Sequence, residues 1–225
     1  MSLLLPAGGA TVTAGITLTF LTSEVEPTNG QIATFSSVDL STVASDRIIL
    51  VIGMWERGIT TTLNNTDGIT VAGSNATIVQ QGVTGLTIGA ELWQIADSSN
   101  SSGDIVVKTA LALTSMFSMA CWAMYGANSS VHDTGSSSAN PMTDTVNVAA
   151  GGVAVCAGIS GSNVSSFTAT AGYTEEFDET VESTHRHGGG ALRDGTLETN
   201  RTFTMTPVGG SPAERALVIG SYAKA

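Results

Sequence analysis

Residues 46–58 read Asp46-Arg-Ile-Ile-Leu-Val-Ile-Gly-Met-Trp-Glu-Arg-Gly58, and this stretch decides the fold. Arg47 precedes Ile48, Ile49, Leu50, Val51 and Ile52, and Gly53, Met54 and Trp55 follow. The run is short, rich in β-branched residues and apolar at odd and even positions alike. A strand covered by protein on both faces reads this way, whereas a half-exposed strand alternates. Polar residues bracket it at Ser45-Asp46 and Glu56-Arg57-Gly58.

Two later stretches share this character: Val153 to Ile159 within AAGGVAVCAGISG, and Arg215 to Tyr222, RALVIGSY. Around them lie alternating, threonine-rich runs. Thr11 to Phe20 places Ile16, Leu18 and Phe20 on one parity, and Arg201 to Met205 places Phe203 and Met205 inward. Thr66-Asp67-Gly68 is a turn signal, and Ile69 to Val79 reads as a hairpin around Ala72-Gly73-Ser74-Asn75. Helical periodicity with caps is absent. The expected class is all-β, a two-sheet antiparallel β-sandwich of jelly-roll type, with the three apolar strands at its centre.

His132 to Pro141, HDTGSSSANP, is the most linker-like piece, but its length suits an ordinary loop. The expected organisation is an N-terminal arm and first strand over residues 1–30 and one sandwich domain over 31–225. Leu3-Leu4-Leu5-Pro6 makes an arm suited to gripping a neighbour. The run Thr109 to Val131 carries no charge. Its Thr and Ser interruptions favour two adjacent strands with a bend near Leu113 to Met116 over a membrane helix.

Charged residues make up 12% of the 225, about half the usual share, while Ser and Thr supply about a quarter. Hydroxyls rather than charges therefore cover the outer face. The net charge of −11, with lysine only at positions 108 and 224, argues against nucleic acid and anionic membranes as partners. No basic n-region precedes the leucines, so no export signal is read. Cys121 and Cys156 both lie in apolar runs, where buried thiols acting as small hydrophobes are expected and a disulfide remains open.

Candidate chemistry is sparse. Glu175, Glu176, Asp178, Glu179 and Glu182 could gather oxygens around calcium, but without EF-hand spacing. They read more simply as a solvated, acid-rich edge. His185 and His187 would share a face of a strand and could hold a metal with a third ligand. Gly188, Gly189 and Gly190 beside them suggest an exposed loop instead. Gly158-Ile159-Ser160-Gly161-Ser162 lacks the last glycine of a nucleophile elbow. Trp55, Trp93 and Trp122 could stack sugars, but their apolar settings favour core packing. No enzyme, cofactor or metal centre is expected.

Several stretches together resemble small β-rich proteins encoded by tailed phages and prophages. They are TFSSVDLSTVASDRIILVIGMWERG (34–58), ITVAGSNATIV (69–79), CWAMYG (121–126) with HDTGSSSANP (132–141), AAGGVAVCAGISG (149–161), YTEEFDETVESTH (173–185) and LVIGSYA (217–223). The likeness spans Thr34 to Ala223, rests on glycine and strand patterns, and includes no catalytic residue. It implies a structural protein of a tailed-phage virion, made in the host cytoplasm and placed on the virion surface. The first expectation is a capsid decoration or cement protein that binds the major capsid protein between capsomers, as a homo-oligomer with a trimer favoured. The alternative is a receptor- or carbohydrate-binding module of a tail fibre or tail tip.

Overall fold

The computed structural model describes residues 15–26, 30–57, 62–63, 66–83, 88–110, 114–161, 163–182, 185–193, 195–210 and 212–225. The Leu3 to Pro6 arm lies outside them. Up to residue 125 the strands are β1 (Thr17–Glu26), β2 (Ile32–Asp39), β3 (Ile48–Arg57), β4 (Ile69–Val71), β5 (Ser74–Asn75), β6 (Thr77–Val83), β7 (Ile88–Ala96), β8 (Ser102–Lys108) and β9 (Thr114–Tyr125). Beyond it come β10 (Ala127–Ser137), β11 (Met142–Val148), β12 (Val153–Ser160), β13 (Ser166–Ala171), β14 (Thr174–Glu182), β15 (His185–Leu192), β16 (Glu198–Val208) and β17 (Arg215–Lys224).

These strands form four antiparallel sheets. Two have five strands, ordered β1-β9-β3-β7-β6 and β10-β17-β12-β15-β14. A four-stranded sheet runs β2-β8-β4-β5, and a three-stranded one β11-β16-β13. Three apolar cores lie between them. Ile48, Leu50, Ile52 and Met54 of β3 share the middle core with Val153, Val155, Ala157 and Ile159 of β12. Ile49, Val51 and Trp55 point the other way, into a core with Phe35, Ile69, Ile105 and Val107 of the four-stranded sheet. Ala154 and Cys156 of β12, with Leu217 and Ile219 of β17, meet Phe203, Met205 and Val146 of the three-stranded sheet. The layers therefore run four-, five-, five- and three-stranded.

This stacking explains the opening motif. Each five-stranded sheet is covered on both faces, so its central strands need apolar side chains at both parities. The all-β class stands as expected, but with four sheets in place of two. Ile48, Val153 and Leu217 all lie on buried strands. β12 and β17 are neighbours, while β3 sits in the opposed sheet.

Several local expectations change. The Ile69 hairpin closes at Ala72 (φ 49°) and Gly73 (φ 80°), and its return strand is only Ser74–Asn75. Two consecutive positive φ values suit a two-residue hairpin turn. Thr77 then begins β6, in a different sheet. β1 runs from Thr17 through Glu26, beyond the alternating run that ends at Phe20. His132 to Ser137 belongs to β10 and pairs with β17. The uncharged run breaks at Gly126 (φ 71°), between β9 and β10; of the bend expected near Leu113 to Met116, Leu113 lies outside the described residues and Met116 is within β9. Among the described residues no helix is long and apolar enough to cross a membrane.

Candidate functional site

His185 to Leu192 is a strand, not an exposed loop. β15 lies between β12 and β14, and Gly188, Gly189 and Gly190 are buried in it. Their lack of side chains is what lets the strands approach. A Cβ on Gly190 would fall 2.0 Å from the Thr174 carbonyl oxygen, and one on Gly189 2.4 Å from that of Cys156. The triglycine that reads as flexible in sequence is thus a packing device.

The strand carries both histidines to the seam between the five-stranded sheets. His187 is fully buried, with Nε2 3.0 Å from Glu179 Oε2 on the adjoining β14. The Ser23 hydroxyl, from β1 of the opposed sheet, also bonds to this carboxylate. The His187 contact, reinforced by Ser23, holds the Glu179 carboxyl below its ordinary value, against a smaller opposing effect of burial. His185 Nε2 lies 3.1 Å from Glu56 Oε1 at the end of β3. The two histidines share a face, as the H-x-H spacing predicts, but each is committed to its own carboxylate.

The acids of β14 divide between the strand's two sides. Glu176 accepts the indole N–H of Trp122 at 2.7 Å, and Arg193 pairs with its other oxygen while donating to the Leu18 carbonyl at 2.9 Å. Beside this ladder the Phe20 and Phe177 rings stack at 5.7 Å, with Trp122 tilted against both. Asp178 pairs with Arg186 and accepts the Phe167 N–H at 2.9 Å, so it ties β14 to β13. Glu175 accepts a backbone bond from Ala169; burial raises its pKa, with repulsion from Asp178 adding to the rise. Among the described residues no three His, Cys, Asp or Glu side chains converge to hold a metal ion. The acid-rich segment is an edge strand as expected, yet Glu175, Glu176, Asp178 and Glu179 each bond to a residue of another sheet.

Further buried polar groups are structural. Glu91, fully buried on β7, accepts Leu63 N–H at 3.1 Å, Gln81 Nε2 at 2.6 Å and Trp93 Nε1 at 3.0 Å. Burial nevertheless pushes its pKa up. Arg47 spends its guanidinium on the carbonyls of Leu40, Ser41, Asp97 and Asn100. Trp55, Trp93 and Trp122 are at most 1% exposed, so none offers a face to a sugar. Cys121 and Cys156 are buried free thiols in different cores, and burial raises the pKa of each.

An open hollow of about 440 Å³ lies where the chain passes from β9 to β10. Ser45, Asp46, Arg47, Ile48, Asn128 and Ser129 are among its lining residues. It contains no aromatic platform and no cluster of titratable groups.

Sequence reasoning names His185, His187, Glu176 and Glu179 but not their pairing with Glu56, Ser23, Trp122 and Arg193. Arg193 lies 17 residues from Glu176 and Trp122 54, the others farther still, and no spacing rule links them. Glu91 carries a signal of its own, one acid inside the apolar strand IGAELWQIA. No family model, curated protein or solved structure matches the chain.

Proposed function

We propose that this chain is a structural protein of a tailed-phage virion, a decoration or cement protein that stabilises the capsid by binding between capsomers. The observation that carries the reading is the strand order. In both five-stranded sheets the half's first strand lies beside its last, and the last beside its third. That order, with the remaining strands in a facing sheet, is read here as two jelly rolls stacked back to back. Jelly rolls recur in viral capsid proteins. The likeness to phage-encoded β-rich proteins points the same way.

Mechanically the stack suits the role. Two inner sheets buried on both faces make a stiff block with few internal degrees of freedom. Its outward side chains include Thr143, Thr145 and Thr202, neutral and short. Such a surface can be buried against a neighbour without desolvating charge. Binding only the assembled shell stabilises that shell by mass action. The partner on this reading is the major capsid protein, and a symmetric oligomer, a trimer first, multiplies each contact.

Jelly rolls also serve as lectins, so the second reading is a receptor- or carbohydrate-binding module of a tail fibre or tail tip. Copy number in purified particles separates the two. Hundreds of copies, and a shell less tolerant of heat and low salt when the gene is deleted, support the cement role. Three to a dozen copies would move the protein to the tail. Absence from the particle would end both readings.

A further inference from the structure

The two halves of the chain match strand for strand. Taking the strands of residues 17–125 in order, β1, β9, β3, β7 and β6 form one sheet and β2, β8 and β4 the other. Taking those of residues 127–224, β10, β17, β12, β15 and β14 occupy the same places, and β11, β16 and β13 follow β2, β8 and β4. Among the described residues only β5, two residues long, has no counterpart.

The register agrees at the level of single residues. Gly53 of β3 pairs with Glu91 on one side and Met119 on the other. Gly158 of β12 pairs with Gly188 and Leu217. Superposing the two glycines aligns Ile48, Leu50, Ile52 and Met54 with Val153, Val155, Ala157 and Ile159. All eight point into the same core. Ile49 and Val51 align with Ala154 and Cys156, and these point outward in both halves. An accidental likeness of strand order would leave the phase of these strands unconstrained.

Contacts across the middle core are reciprocal in part: β17 meets β6 and β7 more closely than the equivalent β9 meets β14 and β15, but three other contacts exchange. β1 lies against β14 and β6 against β10, while β3 lies against β12. Since β1 corresponds to β10 and β6 to β14, exchanging the halves exchanges the first two contacts and maps the third onto itself. An isologous dimer about a two-fold axis has this property. We propose that the chain is a covalently joined dimer, two copies of one fold unit associated through equivalent faces, with Gly126 as the joint.

The faces have diverged enough to select each other. Trp122 stands opposite Leu50, and Gly220 opposite the equivalent Val155. Leu92 and Gly189 are equivalent in the same way, through Ile52 and Ala157. In the molecule Leu92 packs onto Gly220: a Cβ there would fall 2.3 Å from Leu92 Cδ2. Pairing the first half with itself would drive Leu92 onto Trp122. Pairing the second with itself would set Gly189 against Gly220 and leave a void. Overpacking on one side and a cavity on the other disfavour both self-pairings.

The test inserts a protease recognition sequence between Tyr125 and Gly126 of the full chain, with the uncut insertion variant as the folding control. After cleavage, native mass spectrometry is expected to show one complex holding one of each fragment. The same complex should re-form when fragments separated in denaturant are mixed and refolded. Fragments that part on cleavage, lose their sheet signal while the uncut control keeps it, or re-form as homodimers would overturn the proposal. In the cut protein, Gly220→Trp should weaken fragment association at least tenfold, and adding Leu92→Gly should recover part of the loss. Unchanged association in Gly220→Trp would also count against it.

Discussion

The indole N–H of Trp122, on an inner strand of one five-stranded sheet, donates to the Glu176 carboxylate on the edge of the other at 2.7 Å. Trp122 is fully buried, and Arg193 neutralises the same carboxylate from the opposite side. One side chain thus serves the apolar core with its ring and the polar rim with its nitrogen.

Trp122→Phe keeps most of the ring and removes the donor, so it should cost about 2 kcal/mol, the scale of a hydrogen bond to a charged group. Trp122→Ala also opens a cavity beside Phe20 and Phe177 and should cost about 3–5 kcal/mol. Both should appear as lower urea midpoints with an unchanged slope; equal effects for the two variants would contradict this division of labour.

Glu179 predicts a pH dependence. Its carboxyl is held below the ordinary 4.5 by His187 first and Ser23 second, so the folded state releases this proton more readily than the unfolded chain. The resulting stabilisation is present above about pH 4.5 and is lost as pH falls through the depressed folded value. In Glu179→Gln the fall in thermal midpoint from pH 5 to pH 3 should be shallower than in the parent. A parallel pair of curves would show that the contact contributes nothing to the acid limb.

Glu91 is expected to be intolerant of an apolar replacement despite its apolar strand. Glu91→Leu would leave the buried donors of Leu63 and Trp93 without an acceptor, while the exposed Gln81 amide can turn to water. Each buried loss costs about 1–3 kcal/mol, so the total should exceed about 2 kcal/mol. Chemical denaturation at pH 7 measures it, and a neutral or stabilising result would mean that water replaces the carboxylate.

Gly190→Ala should weaken the attachment of β14, because the added methyl would meet the Thr174 carbonyl at 2.0 Å. Faster amide exchange in β14, with β12 and β17 unchanged, is the expected signature. Uniform exchange throughout would show that the strands absorb the methyl by a small shift.

Cys121 and Cys156 should stay unreactive toward a thiol reagent in the folded protein, since burial raises both pKa values and shuts out the reagent. Two thiols should react on full denaturation. Rapid labelling of either under native conditions would place it at the surface.

Much of the fold was legible because strand chemistry is local. Ile48 to Trp55 announces a strand covered on both faces, and the parity of Phe203 and Met205 announces one covered on a single face. The His185 to Leu192 strand was hidden because its three glycines carry no side chain whose pattern could show burial. The seam was hidden for another reason: Ser23, Glu56 and Trp122 approach β14 and β15 only after two sheets have stacked, and Arg193 reaches Glu176 only once β15 has paired with β14.

Side-chain parity and turn chemistry, both readable along the chain, were sufficient for the all-β class, for which strands are doubly buried and for the hairpin at Ala72-Gly73. Parity reports that a face is covered and is silent about what covers it, since any apolar surface removes the same area from water. Which sheet meets which, the commitment of each histidine to its own glutamate, and the match between Gly53 and Gly158 therefore belong to tertiary packing. There, shape and reciprocal contact choose among faces that hydrophobicity alone leaves equivalent.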